Sequence, residues 1–110
     1  MAQNFRRYLQ RNIGTSAVDV LSGAADSYDT VISIRLANTT TSTINADVYI
    51  TNTATDYYLI KNCPIVSGGS LELIDGGSKI VMASGDQLYV KSDTATSIDC
   101  IVATVDDIST

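Results

Sequence analysis

Acidic side chains are the most numerous ionisable groups in this sequence: there are twelve Asp and Glu residues, of which Glu72 is the only glutamate. Paired carboxylates hydrolyse glycosidic bonds when burial keeps one acid protonated beside an ionised partner. Here the aspartates fall mostly in turns or on strand faces expected to meet water, so we expect solvated carboxylates and no such pair. The DxDxDG calcium loop is missing. A calcium site built from separate loops, with Asp26 and Asp29 or Asp106 and Asp107, stays open as an alternative.

Nucleophilic and metal chemistry lack their usual residues. The sequence contains no histidine, which removes the commonest general base, the Ser-His and Cys-His pairs, and the commonest zinc ligand. The pairs Ser78-Lys79 and Lys91-Ser92 cannot act as Ser-Lys dyads, because adjacent residues on a strand point to opposite faces. The glycine pairs lie in turns and match no phosphate-binding loop. The sequence therefore predicts no enzyme activity, no cofactor and no bound metal.

Cysteine usage and the first residues bear on the compartment. Cys63 and Cys100 lie in apolar runs without metal-ligand spacing, so we expect free buried thiols, with a disulfide between them as the alternative. The pair Arg6-Arg7 is followed by polar residues and not by the apolar region of a secretory signal. No apolar run approaches the roughly 20 residues that a membrane helix needs. We expect a soluble chain that is made in a cytoplasm and contacts no membrane.

Charge is divided unevenly along the chain. Arg6, Arg7 and Arg11 lie in the first eleven residues, which hold no acid, so the remaining four bases face twelve acids and that part carries −8. An acidic body is a poor ligand for phosphates, and we expect no nucleic acid partner. A basic segment on an acidic body instead favours docking onto an acidic neighbour, including another copy of the chain. A solvated tail is the alternative.

The basic segment, residues 1–14, is expected to form an N-terminal arm. Its apolar residues Phe5, Tyr8, Leu9 and Ile13 are spaced i, i+3, i+4 and i+8, which is the pattern of one helix face. A helix of this length is marginal in isolation, and Gly14 would end it. A short helix and an extended arm are equal alternatives.

From Ala17 onward the apolar residues recur with a period of two, which is typical of strands. The predicted strands cover 17–21, 30–36, 44–51, 57–61, 70–74, 79–82, 87–91 and 98–105. Turn-forming residues separate them, and no helical pattern follows Gly14. Eight short strands at this spacing predict an all-β, antiparallel, jelly-roll-like β-sandwich domain over residues 15–110.

The last strand is apolar on both faces, which indicates a strand that is covered on both sides. Residues 98, 100 and 102 share one face, while Ile101 and Val105 share the other with Ala103. A neighbouring subunit is the expected cover for the second face, with internal cover as the alternative. Tyr49 and Tyr57 are expected to point outward, and Tyr58 inward. The predicted subunit interface comprises Phe5, Arg6, Arg7, Tyr8, Leu9, Arg11 and Ile13 in the arm, and Tyr49, Tyr57, Ile101 and Val105 in the sheets.

Several stretches of the chain form a recognisable set of motifs: MAQNFRRYLQRNIGTSA (1–17), IRLANTT (34–40), DVYIT (47–51), YYLIK (57–61), SLELIDGGSKIVM (70–82), SGDQLYVKSDTA (84–95) and VDDIST (105–110). These stretches resemble small virion structural proteins of tailed bacteriophages, most of all those of phages that infect cyanobacteria and other marine bacteria. Together they span nearly the whole chain.

The resemblance implies a multi-copy component of a virus particle. Such a protein could decorate or cement the capsid, or belong to the neck, tail or baseplate. Its partners would be other virion proteins, including major capsid, portal, neck or tail subunits, and further copies of itself. A carbohydrate- or host-receptor-binding module on the virion surface is the alternative, because exposed tyrosines also suit sugar-binding sites.

Overall fold

Each alternating run of the sequence forms a β-strand in the computed structural model. The structure describes residues 4–21, 29–74, 80–82 and 86–106, with all side chains in these ranges except those of residues 4, 5, 29 and 106. The strands are β1 (Asn4–Ile13), β2 (Val18–Asp19), β3 (Asp29–Asn38), β4 (Ile44–Asn52), β5 (Thr55–Ile65), β6 (Ser70–Glu72), β7 (Ile80–Met82), β8 (Gln87–Ser92) and β9 (Ile98–Asp106). The eight predicted strands correspond to β2 through β9.

Two antiparallel sheets share the strands. The five-stranded sheet has the order β1-β9-β3-β6, with β7 also paired to β3, and the four-stranded sheet has the order β2-β8-β4-β5. β3 pairs with β9 along one of its edges. Along its other edge β3 pairs with β6 and then β7, which act as one interrupted strand. The strands then divide four and four in the connectivity of a jelly roll. The predicted all-β sandwich is confirmed.

The core lies between the sheets and follows the period-two pattern. Burial alternates strictly along β8, and the expected inner face of β9 is buried throughout. Each fully buried Val, Leu or Ile side chain contributes about 1.5 to 3 kcal/mol relative to an exposed one. The largest fully buried side chains are Ile13, Val20, Val31, Ile34, Leu36, Ile44, Val48, Met82, Leu88, Val90, Ile98 and Val102.

The N-terminal segment differs from one of the two expectations. The helical alternative is wrong, since Asn4–Ile13 is the extended edge strand β1, paired antiparallel with β9. Its apolar residues mimic a helix because the ladder shifts between Gln10 and Ile13, where Asn12 adopts φ 57°. A β-bulge inserts one extra residue, so Tyr8 and Ile13 both lie on the inner side although their spacing is odd.

Hydrogen bonds fix the end of β1 to the turn between β8 and β9. The carbonyl of Ile13 accepts from the amide of Ser97 and the carbonyl of Gly14 accepts from the amide of Ser92, each at 2.9 Å. The amide of Asn12 donates to Oδ1 of Asp99 at 3.1 Å. β1 is thus the first strand of the jelly roll, and the division into an arm of residues 1–14 and a domain of residues 15–110 stays a prediction.

Both cysteines are free thiols, as expected. Cys100 lies in the core, where burial raises the pKa of its thiol to about 12, while Cys63 on β5 is half-buried. In the part of the chain that the structure describes, no helix is long and apolar enough to cross a membrane.

Candidate subunit interface

The outer face of the five-stranded sheet carries a row of residues in register across four strands. Leu9 on β1 stands opposite Ile101 on β9, which stands opposite Arg35 on β3, and Arg35 stands opposite Glu72 on β6. Leu9 is 54% exposed and Ile101 is 47% exposed. Two large aliphatic side chains therefore meet solvent side by side. We call these two residues, together with Arg7, Arg11, Arg35, Glu72 and Asp99 around them, the β1–β9 patch.

Charged groups of both signs surround the aliphatic pair. Nε of Arg35 donates to Oε1 of Glu72 at 3.3 Å, and Oγ of Ser33 donates to Oε2 of the same carboxylate at 3.0 Å. Arg7 and Arg11 are exposed on β1. Exposed ion pairs contribute about 1 kcal/mol or less to stability, so these charges add little to the stability of the fold.

A shallow cavity of about 310 Å³ lies directly beside the aliphatic pair. It is lined by Leu9, Gln10, Arg11, Asp99, Cys100 and Ile101. The cavity coincides with the bulge, where the β1–β9 ladder shifts after Gln10. Bulges bend a strand away from its partner, which explains why a depression forms at this point of an otherwise continuous sheet.

The other predicted residues of β1 and β9 lie in different surroundings. Ile13 is in the core and Tyr8 packs against it. Val105 is only 8% exposed, so in the isolated chain it contributes to packing and not to the surface. Arg6 is exposed. The backbone of Phe5 stands opposite Val105 in the ladder, and the structure does not describe the Phe5 side chain.

Three tyrosines form a ladder on the outer face of the four-stranded sheet. Tyr89 on β8, Tyr49 on β4 and Tyr58 on β5 are in register on adjacent strands. The ring centroids of Tyr49 and Tyr58 are 4.9 Å apart and tilted by 42°, and those of Tyr49 and Tyr89 are 5.5 Å apart and nearly stacked at 26°. Nζ of Lys61 lies 4.6 Å from the Tyr58 ring centroid. We call Tyr49, Tyr58 and Tyr89 the tyrosine ladder.

The ladder corrects the sequence-based assignment of the tyrosines. Tyr58 is half-exposed on the outer face and not in the core, and Tyr57, at 60% exposure, stands opposite Ile50 and makes no ring contact with the ladder. Tyr49 faces outward as expected. Partial burial, followed by the negative charge of Asp56, raises the pKa of Tyr49 above its ordinary value of 10.0.

Metal-binding geometry is not found among the described residues, where no group of three or more His, Cys, Asp or Glu side chains could hold an ion. The loop acids Asp26 and Asp107 lie outside the described residues. The two surface features that the geometry singles out are the β1–β9 patch and the tyrosine ladder.

Comparison with known proteins gives a likeness in structure and none in sequence. No family model matches the chain, and no curated protein matches it in sequence. Among solved structures, the chain is similar to a chain in the acidic stable capsid of Helicobacter pylori bacteriophage KHP30, with a TM-score of 0.57 and 11% sequence identity. The match covers 96% of this chain and 86% of the capsid chain. The protein therefore shares its fold, over nearly its whole length, with a chain from a bacteriophage capsid.

Proposed function

We propose that the protein is a structural component of a bacteriophage particle, present in many copies, that binds and stabilises neighbouring virion subunits. The observation that carries this proposal is the jelly roll matched over 96% of the chain to a bacteriophage capsid chain. Jelly rolls recur in viral capsid domains. The resemblance of the sequence to small virion proteins of tailed phages, of the type that infects cyanobacteria and marine bacteria, points the same way.

The β1–β9 patch is the surface through which we expect this binding to occur. The patch has an exposed aliphatic centre, Leu9 with Ile101, and charged residues around it. This is the layout of protein interfaces, which combine an apolar core with a polar rim. The exposed arginines of β1 would meet acidic groups of a neighbour. Tyr8 and Ile13 act indirectly, because their packing holds β1 against β9.

The partners on the particle would be other virion proteins. The role fits a capsid decoration or cement protein, and it fits an accessory of the neck, tail or baseplate. In each case the protein adds contact area between subunits and performs no chemistry. The expected location is the virion, after synthesis in the bacterial cytoplasm.

The carbohydrate-binding alternative has less support from the geometry. Sugars bind aromatic platforms through the faces of the rings, but Tyr49 lies between Tyr58 and Tyr89, and Lys61 lies over Tyr58. The ladder thus uses its ring faces within the sheet, in the manner of cross-strand aromatic pairs. A glycan array probed with and without calcium tests the alternative, and binding abolished by Tyr49→Ala would establish it.

Mass spectrometry of purified particles, with the copy number measured against the main shell subunit, tests the proposed function. A copy number comparable to that of the shell subunit indicates decoration or cement, and a small number indicates the neck or baseplate. Particles that contain no copy of the chain, from cells that express it, contradict the proposal.

A further inference from the structure

We propose that the β1–β9 patch is a self-complementary contact at which two copies of this chain meet face to face about a two-fold axis. The inference rests on the proposed function and names the neighbour that binds at this surface as a second copy. Four features support it: shape, charge, the properties of the sheet edge, and area.

Shape is the first feature, because the patch contains both a protrusion and a depression. Leu9 and Ile101 project from the sheet, and the cavity of about 310 Å³ beside them is roomy enough for an aliphatic side chain. In a two-fold contact the same surface serves both copies, so each must offer what the other needs. Protrusion and cavity on one surface meet this requirement.

Charge is the second feature. The patch holds three arginines, Arg7, Arg11 and Arg35, and two acids, Glu72 and Asp99. Arg11 and Asp99 both line the cavity, and Arg35 stands opposite Glu72. A surface of one sign would repel its own copy, whereas interspersed signs allow the arginines of one chain to face the acids of the other. Two copies of the β1–β9 patch would therefore repel each other less than two uniformly basic surfaces would.

The open edge of β1 does not offer the same opportunity. Pairing two β1 strands edge to edge would align the arginines of both copies, and like charges opposite each other destabilise a strand pair. The bulge at Asn12 also interrupts the ladder on this strand. Charged residues and bulges are the usual means by which edge strands avoid pairing with another chain. The contact is therefore made through the face of the sheet.

Area is the fourth feature. β9 has nine residues, which span about 30 Å, and four neighbouring strands span about 19 Å across the sheet. The face thus offers about 600 Å² per copy, slightly below the roughly 800 Å² per partner of a standard stable interface. We expect a dimer of moderate affinity that many-copy assembly would reinforce.

Analytical ultracentrifugation of the full chain over a range of concentrations tests the inference. The expected result is a reversible dimer whose dissociation constant rises at least about tenfold in Ile101→Asp, because the substitution buries an unpaired charge in the contact. The matched control is Val66→Asp, at a residue that is 64% exposed in the turn after β5 and is not part of the β1–β9 patch. The control is expected to dimerise like the unmodified chain.

Oxidative cross-linking supplies the second measurement. In a Cys63→Ser background, Ile101→Cys is expected to give a covalent dimer on mild oxidation, because residues near a two-fold axis lie close to their own copies. Val66→Cys in the same background is expected to give no covalent dimer. Cys100 is buried, and its raised thiol pKa keeps it unreactive.

The outcomes separate this inference from the proposed function. A chain that stays monomeric at every concentration, or a dimer that Ile101→Asp leaves intact, overturns the self-contact. If such a chain still joins particles, the proposed function stands and the patch belongs to a different virion subunit. If the chain dimerises through the patch but is absent from particles, the self-contact stands and the proposed function fails.

Discussion

At the scale of single residues, the buried amide of Asn38 joins three parts of the chain. Its Nδ2 donates to the carbonyls of Ser42 at 2.8 Å and Ile65 at 2.9 Å, and its Oδ1 accepts from the amide of Thr40 at 2.9 Å. We expect Asn38→Ala to lower the free energy of unfolding by about 2 to 4 kcal/mol, because it leaves these buried groups unpaired. Urea unfolding measures the change. Thr41→Ala, at an exposed position of the same turn, is the control and should change stability little.

Two buried hydroxyls on the inner side of the sandwich should respond oppositely to removal. Among the described residues, Oγ1 of Thr104 has no hydrogen-bond partner, whereas Oγ of Ser97 contacts Oγ of Ser92 at 2.6 Å and donates to the carbonyl of Thr94 at 2.7 Å. Thr104→Val should leave stability unchanged or raise it by up to about 1 kcal/mol, and Ser97→Ala should lower it by about 1 to 2 kcal/mol. Thermal unfolding of both variants checks this, and a large loss in Thr104→Val contradicts it.

The phenol of Tyr49 should make the stability of the folded chain depend on pH in the alkaline range. Partial burial, then the charge of Asp56, raises its pKa in the folded chain above 10.0. The contribution of the un-ionised Tyr49 phenol to the free energy of unfolding is therefore complete below the unfolded-state pKa of about 10. It is lost as pH rises through the folded-state pKa. Relative to Tyr49→Phe, the unmodified chain should lose stability only above about pH 10. Tyrosinate absorbance during an alkaline titration should lose a step above about pH 10 in Tyr49→Phe and keep it in Tyr57→Phe.

At the scale of elements, the junction after β1 depends on close approach of two backbones. A Cβ added at Gly14 would lie 3.0 Å from the amide nitrogen of Thr96 and 3.1 Å from Cα of Ala95. Because these neighbours are backbone atoms that cannot rotate away, we expect Gly14→Ala to destabilise the protein by about 1 to 3 kcal/mol. Hydrogen exchange should show faster exchange of β1 amides in particular. Thr15→Ala, exposed next to Gly14, is the control, and equal exchange rates in both variants would contradict the prediction.

The strands themselves could be predicted from the sequence, because period-two alternation reports which residues face the core within one strand. β1 could not, since its bulge at Asn12 changes the phase of the alternation, so that Ile13 lies inward although it follows the outward Leu9 by the four residues typical of a helix face. Alternation is a local signal, and a bulge is fixed by the partner strand. The spacing of apolar residues therefore misleads wherever an extra residue enters a ladder.

The candidate interface could be predicted only in part, for the same reason. The two-faced pattern of β9 led to Ile101, which is half-exposed, and to Val105, which is nearly buried. The tyrosine ladder was missed because adjacent aromatics at 57 and 58 give no sign of which one faces outward. That choice depends on register, since Tyr58 stands opposite Tyr49. Contacts between strands require pairing partners that no single stretch of sequence specifies.

At the scale of the whole molecule, charge follows the architecture. The basic strand β1 forms one edge of the five-stranded sheet, while the residues after the first eleven carry −8. The molecule therefore presents a basic edge on an acidic body, which favours ordered packing against neighbours of the same kind over random association. This asymmetry and the exposed aliphatic pair lie on the same sheet, so one face combines the features expected of a subunit contact.

Reversing the charge of this face should weaken association without unfolding the protein. Arg7→Glu with Arg11→Glu replaces two exposed cations, and we expect the affinity of the chain for its own copy to fall by about tenfold, since each exposed pair contributes up to about 1 kcal/mol. Lys61→Glu with Lys91→Glu changes net charge equally but lies on the four-stranded sheet. Analytical ultracentrifugation of each folded variant over a range of concentrations measures the difference. Only the arginine substitutions alter the surface that we assign to the contact. Equal losses in both variants would therefore show that net charge, and not the β1–β9 patch, governs association.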